Sequence, residues 1–108
     1  MGETNIARFN VGQVVQHSLF DYVGVIVDVD AEFSGTDEWY DRMARTRPPK
    51  DLPWYHVLVD ESSSYAYAAE TSLEADPSGH PIAHPLLTSF FSAFEDGRYV
   101  RNDQPWPR

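Results

Sequence analysis

The chain has 108 residues, which suits one domain, since two domains of half this length would each be short of core. Its net charge of −9, from 17 acidic and 8 basic residues, opposes binding to a polyanionic duplex, because sequence-independent affinity for DNA comes from lysine and arginine. The absence of cysteine excludes disulfides and thiolate metal sites and fits a reducing cytoplasm.

No apolar run approaches the roughly 18 residues that a membrane-spanning helix needs. The first residues, MGETN, lack the basic flank and apolar segment of a signal peptide. We therefore expect a single cytoplasmic domain over residues 1–108, flexible at 1–7 and 102–108, with no membrane partner.

Two short apolar segments give the clearest structural signal, and each ends in an acidic residue. Residues 22–30 and 54–60 are rich in β-branched and aromatic side chains, which predicts strands buried on both faces of a small sheet. Residues 9–17 predict a preceding strand, and residues 65–69 a following one. Gly24, inside the second strand, predicts a bulge or a close approach of another backbone.

Strict alternation along the second strand predicts which side chains share a face. One face is predicted to hold Val23, Val25, Val27 and Val29, and the other Gly24, Ile26, Asp28 and Asp30.

Residues 31–53 form a long excursion between the two strands, with a short helix predicted after Thr36 as its cap. Aromatic and basic side chains interleave here, so they could stack unpaired bases or grip a peptide; alternatively, the aromatic rings anchor the excursion on the sheet. The candidate partner-binding residues are Trp39, Tyr40, Arg42, Arg45, Arg47 and Lys50.

A C-terminal helix is predicted from Pro85, which suits a first helical position, to Gly97, which suits the end of a helix. Its phenylalanines exceed what one helix face can bury, which indicates self-association. The candidate self-association residues are Leu87, Phe90, Phe91 and Phe94.

The four histidines, at positions 17, 56, 80 and 84, are predicted to be structural, and no metal site is expected. Asp28, Asp30 and Glu32 alternate at a strand end, where acidic residues are usually solvated turn residues. An acid–base role for two of these carboxylates is the alternative. Because no nucleophile elbow or phosphate-binding glycine loop is present, we expect no enzyme, no catalytic residue and no cofactor.

Four sequence blocks resemble one known family. These blocks are residues 9–17 (FNVGQVVQH), 22–30 (YVGVIVDVD), 53–59 (PWYHVLV) and 67–70 (YAAE). Over about residues 7–100 the chain resembles the heat shock protein HspQ family, also described as the YccV-like, hemimethylated DNA-binding domain. The resemblance implies a cytosolic stress protein with a barrel-like sheet, a tendency to trimerise, no catalytic residues, and a link to protein turnover by a Lon-type ATP-dependent protease.

The predicted fold is thus mainly β, a small strongly bent antiparallel sheet or SH3-like barrel, with a short helix in residues 33–53 and a C-terminal helix. The predicted function is that of a non-enzymatic heat-shock adaptor, with protein partners, that promotes degradation by such a protease. The alternative is a protein that recognises hemimethylated DNA, with Arg42, Arg45, Arg47 and Lys50 on phosphates.

Overall fold

The computed structural model describes residues 7–44 and 46–102, which form a mainly β protein, as predicted. The two segments expected to be flexible, residues 1–7 and 102–108, lie outside the described residues except for Ala7 and Asn102. No helix in the described part of the chain is long and apolar enough to cross a membrane. The strands are β1 (Val14–His17), β2 (Val23–Asp30), β3 (Trp54–Val59), β4 (Tyr65–Ala69), β5 (Leu73–Ala75), β6 (Phe91–Glu95) and β7 (Arg98–Arg101); the α-helices are α1 (Asp37–Met43) and α2 (Leu87–Phe90).

The main sheet has five antiparallel strands in the order β4-β3-β2-β1-β5. Strands β4 and β5 are its opposite edges, yet only the 3₁₀ turn Glu70–Ser72 separates them along the chain. Such a connection spans at most about 14 Å, because consecutive Cα atoms lie about 3.8 Å apart. The sheet must therefore curl until its two edges approach each other, which confirms the predicted strong bend.

The curled sheet carries a hydrophobic cluster on each face. One cluster consists of Phe9, Val15, Ile26, Tyr55, Val57, Ala68 and Leu73. The other consists of Val14, Val25, Val27, Leu58, Ile82, Phe90 and Phe91. The C-terminal segment thus covers one face of the sheet, and strands β2 and β3 are buried on both sides, as their apolar sequences predict.

A bulge interrupts the alternation of β2. Ile26 and Asp28 face consecutive residues of β3, so Val27 is the extra residue. Val25 and Val27 therefore lie in one cluster, whereas Val29 packs against the other, and the prediction that all four valines share a face is wrong. Gly24 is a site of close approach, because a Cβ there would lie 2.5 Å from the carbonyl oxygen of Leu58.

The predicted C-terminal helix is wrong beyond its first turn. Only Leu87–Phe90 is helical, and the chain then forms the antiparallel hairpin of β6 and β7. Asp96 and Gly97 connect these strands with φ angles of +53° and +79°, the left-handed backbone of a tight two-residue hairpin turn. Gly97 therefore turns a hairpin and does not end a helix.

His17 is a structural histidine at the end of β1. Its ring is 5% exposed, and its Nδ1 accepts hydrogen bonds from the backbone N–H groups of Leu19 and Phe20, at 3.1 and 3.0 Å. Burial lowers the pKa of His17, so the ring is neutral at pH 7. The neutral ring organises the turn between β1 and β2 and stacks on Phe20, with ring centroids 4.8 Å apart.

This geometry predicts that stability falls with acid. The unfolded chain binds a proton at His17 near its ordinary pKa of about 6.5, and the folded chain only at lower pH. Stability is therefore full above about pH 6.5 and is lost as the pH falls towards the lower folded-state pKa. Urea unfolding should give a lower free energy of unfolding at pH 5.5 than at pH 7.5, and this decrease should be smaller in His17→Gln than in the parent protein. Equal decreases in the two proteins would contradict this role of His17.

Candidate functional site

The excursion between β2 and β3 is folded onto the sheet by aromatic packing. The Thr36 side chain caps α1 by accepting from the backbone N–H of Trp39 at 3.1 Å, as predicted. Phe33 and Trp39 then pack with Trp54 of β3, whose ring centroid lies 4.9 Å from that of Phe33 and 6.1 Å from that of Trp39. Tyr40 is 5% exposed, and its hydroxyl donates to the carbonyl oxygen of Pro48. The structure thus places Tyr40 in the interior, while Trp39 stays half-buried.

Two of the four predicted basic residues pair with acidic residues of the excursion itself. Arg47 pairs with Asp41 and Lys50 with Asp37, each at 3.0 Å, and both cations also lie over the ring of Tyr40. Arg42 is exposed on α1, and Arg45 lies outside the described residues. Residues 31–53 contain five acidic and four basic side chains, so this region offers no excess of positive charge.

A polar cluster at the end of β2 joins residues that the sequence analysis treated separately. Asp30 Oδ2 accepts hydrogen bonds from the hydroxyls of Ser34 and Tyr67, both at 2.7 Å, and lies 3.0 Å from His56 Nε2. Asp28 faces His56 across the strand pair, and Asp28, Asp30 and His56 offer ligand atoms within 4.8 Å of one another. The register that pairs β2 with β3 brings them together, and position along the sequence does not reveal that register.

In this cluster, hydrogen-bond donors stabilise the ionised carboxylate of Asp30. Burial alone would raise the pKa of Asp30, but the hydrogen bonds from Ser34, Tyr67 and His56 outweigh it and lower the pKa. Burial and the neighbouring charge of Asp30 raise the pKa of Tyr67, and burial with the charges of Asp28 and Asp30 raises that of Tyr65. Asp30 is therefore ionised and both tyrosines are protonated at neutral pH. The three donors on Asp30 Oδ2 favour a structural role for that carboxylate.

An apolar groove of about 660 Å³ adjoins this cluster and was not predicted from the sequence. Three of its side chains are large, apolar and half-exposed: Phe20 at 52%, Met43 at 51% and Tyr65 at 52%. They come from the turn between β1 and β2, the last residue of α1 and the first residue of β4, so only the folded chain brings them together. The rest of the lining is Tyr22, Trp39, His56, Val59, Ser64, Ala66 and Tyr67.

The predicted self-association residues lie mainly in the protein's own core. Phe90 and Phe91 are each 5% exposed, and Leu87 and Phe94 pack against the same cluster. The ring of Phe94 lies 4.7 Å from that of Tyr99. Phe90 and Phe91 thus offer almost no surface to a second copy, because the hairpin folds them back onto the sheet; self-association stays a prediction.

A comparison with known families gives a match that covers most of the chain. A family model described as YccV-like, "Hemimethylated DNA-binding protein YccV like", matches residues 7–98. These residues include the main sheet, the excursion with α1, and the first strand of the C-terminal hairpin. The chain belongs to the YccV-like family.

Proposed function

We propose that this chain is a non-enzymatic adaptor in protein quality control, which binds a protein partner and modulates degradation by a Lon-type ATP-dependent protease. The observation that supports it best is the apolar groove with Phe20, Met43 and Tyr65 exposed along it. Exposed aromatic side chains and methionine are typical of protein-binding surfaces.

The charge distribution also supports a protein partner. The net charge is −9, and two of the four basic residues in the excursion already pair with its own carboxylates. Phosphates bound by Arg47 and Lys50 would compete with these exposed ion pairs. A protein partner bound at the apolar groove would not compete with them.

The polar cluster supports a binding role more than a catalytic one. A general base needs a free lone pair within reach of its substrate. One oxygen of Asp30 already has Ser34, Tyr67 and His56 as partners, and the neighbouring tyrosines hold their protons. We therefore assign no catalytic residue.

The test is the degradation of a denatured model substrate by a Lon-type protease from the same organism, with and without this protein. We expect the rate, or the choice among several substrates, to change in proportion to the adaptor until it saturates. An inactive protease mutant controls for chaperone effects. Unchanged rates and unchanged preferences across the whole substrate set would refute the proposal.

Binding to hemimethylated DNA is the second candidate, and the description of the matching family favours it. Phosphate contacts from Arg42, Arg45, Arg47 and Lys50 would make log affinity fall with log salt at a slope of about −3 to −4. Titration of hemimethylated and unmethylated duplexes at low salt tests this. A methylation preference would establish DNA recognition, and Arg42→Gln with Lys50→Gln should then weaken binding to both duplexes and make the salt slope shallower, because phosphate contacts carry no base information. No binding at low salt would remove this candidate.

A further inference from the structure

The apolar groove continues into an acidic pocket. This pocket has a volume of about 510 Å³, and its negative charge comes from Asp28 and Asp30. Ser34, Leu86, Ser89 and Phe90 also line it. His56 and Tyr65 line both the groove and the pocket, and their ring centroids are 5.6 Å apart. The groove and the pocket thus form one surface with an apolar site and an anionic site. Two side chains a few residues apart in an extended peptide can occupy both sites at once.

The apolar part of this surface is held in place from behind. Phe20 stacks on the buried ring of His17, and Tyr67 packs on Trp39 with centroids 5.6 Å apart. Met43 is the last residue of α1, whose N-terminus is capped by Thr36. A partner therefore meets side chains that are already positioned, which lowers the entropic cost of binding.

The acidic part has His56 beside Asp30, at 3.0 Å, but no lysine or arginine partner among the described residues. Arg47 and Lys50 pair with Asp41 and Asp37, and neither pairs with Asp28 or Asp30. The Asp28 carboxylate accepts a hydrogen bond from the backbone N–H of Val29 at 2.9 Å. Its charge stands beside that of Asp30, so an incoming ammonium or guanidinium group would relieve the repulsion between two carboxylates.

We infer that this surface binds an extended peptide segment of a protein partner, with one bulky apolar side chain in the groove beside Phe20, Met43 and Tyr65 and a lysine or arginine on Asp28 and Asp30. The inference deepens the proposed function and rests on it for its role in the cell. The partner segment is identified by its chemistry: an unfolded or terminal stretch with an apolar residue followed or preceded by a basic one.

The direct test uses labelled ten-residue peptides of glycine and serine that carry one leucine and one arginine, separated by one, two or three residues. Because each extended residue spans about 3.3 Å, the series places the two peptide side chains about 7–13 Å apart. We expect saturable binding by fluorescence polarisation for at least one spacing. Replacement of the arginine by glutamate, which places a negative charge against Asp28 and Asp30, or of the leucine by serine, which removes apolar area from the groove, should each weaken that binding at least fivefold.

Matched variants locate the site on the protein. Met43→Ser and Phe20→Ser should each weaken the best peptide at least fivefold, and Asp28→Asn, which keeps the acceptor for Val29, should weaken it about threefold and reduce its salt dependence. Val100→Ser and Glu95→Gln, exposed residues away from this surface, should leave binding within about twofold, the effect expected of surface changes. Thermal unfolding verifies that each variant folds, and Met43→Glu replaces any serine variant that does not.

Three results would overturn the inference. They are binding weaker than about 1 mM for every peptide, binding that the groove variants leave unchanged, and self-association of the protein that Met43→Glu abolishes while no peptide binds.

The protease assay separates the two proposals. Stimulation that survives in both Met43→Ser and Asp28→Asn contradicts the peptide site and leaves the adaptor role. Peptide binding without any effect on proteolysis contradicts the adaptor role.

Discussion

Replacing Trp54 by alanine should lower the free energy of unfolding by about 3–5 kcal/mol, the largest loss we expect from a single truncation in this chain. Trp54 is 1% exposed, and its ring lies 4.9 Å from Phe33 and 5.2 Å from Tyr67, measured between centroids. Its indole N–H donates to the carbonyl oxygen of Pro49 at 3.1 Å. The substitution therefore leaves a cavity and an unpaired carbonyl at the point where the excursion meets β3.

Urea unfolding followed by circular dichroism measures this loss, and Trp39→Ala is the matched control. Trp39 belongs to the same cluster but is only half-buried, so its truncation should cost about 1–2 kcal/mol. Because Trp54 anchors α1 against β3, Trp54→Ala should also abolish peptide binding at the groove. Equal losses for the two tryptophans would contradict the assignment of Trp54 as the centre of this cluster.

Gly12→Ala should have the second large effect and lower the free energy of unfolding by about 3 kcal/mol or more, because backbone strain and a steric clash with the backbone act together. Gly12 has a φ of +93°, and a Cβ there would lie 2.1 Å from the carbonyl oxygen of Tyr99. The backbone N–H of Tyr99 donates to the carbonyl oxygen of Gly12 at 2.7 Å, and that of Gly12 donates to Ile26 at 2.8 Å. A side chain at position 12 must therefore separate the C-terminal hairpin from the main sheet.

Gly79→Ala is the control for the strain alone. Gly79 also has a positive φ, +65°, but a Cβ at this position would come no closer to a neighbour than 3.9 Å, from the Cα of Gly97. Replacing Gly79 by alanine should lower the free energy of unfolding by only about 1–2 kcal/mol, because a residue with a Cβ is strained in the left-handed backbone conformation. Hydrogen exchange should show faster exchange of residues 91–101 in Gly12→Ala and no such change in Gly79→Ala. Similar stability of the two variants would show that the contact with Tyr99 does not hold the hairpin.

The parts of the fold that local sequence chemistry determines were predicted correctly. The apolar segments at residues 22–30 and 54–60 pair as antiparallel strands, and Thr36 caps α1. These features depend on neighbouring residues and on burial of whole segments, which a single sequence contains.

The C-terminal hairpin shows why periodicity alone is ambiguous. Leu87, Phe91 and Phe94 have helical spacing, but a register irregularity between Phe91 and Ala93 also lets a strand pack Phe91 and Phe94 on the core. The deciding signal was Asp96-Gly97, a dipeptide typical of tight hairpin turns, because both of its residues adopt a positive φ. Weighing that signal above the apolar spacing would have predicted the hairpin.

The candidate site could not be predicted because its residues are distant in sequence. Phe20, Met43 and Tyr65 meet only after β1, α1 and β4 are in place, and no local pattern distinguishes them from isolated exposed residues. The internal pairing of Arg47 and Lys50 depends on side-chain contacts within the folded excursion. Sequence composition indicated a basic loop, whereas the structure neutralises half of its cations.

The most direct test of this account compares two variants in the protease assay. One variant, Met43→Glu, places a charge in the apolar groove; the other, Arg42→Gln with Arg47→Gln and Lys50→Gln, removes positive charge from the excursion. We expect the groove variant to lose most of the stimulation of substrate degradation, and the charge variant to retain it within about twofold, as expected for exposed ion pairs. Full stimulation by the groove variant together with its loss in the charge variant would contradict the account and place the function in the basic residues.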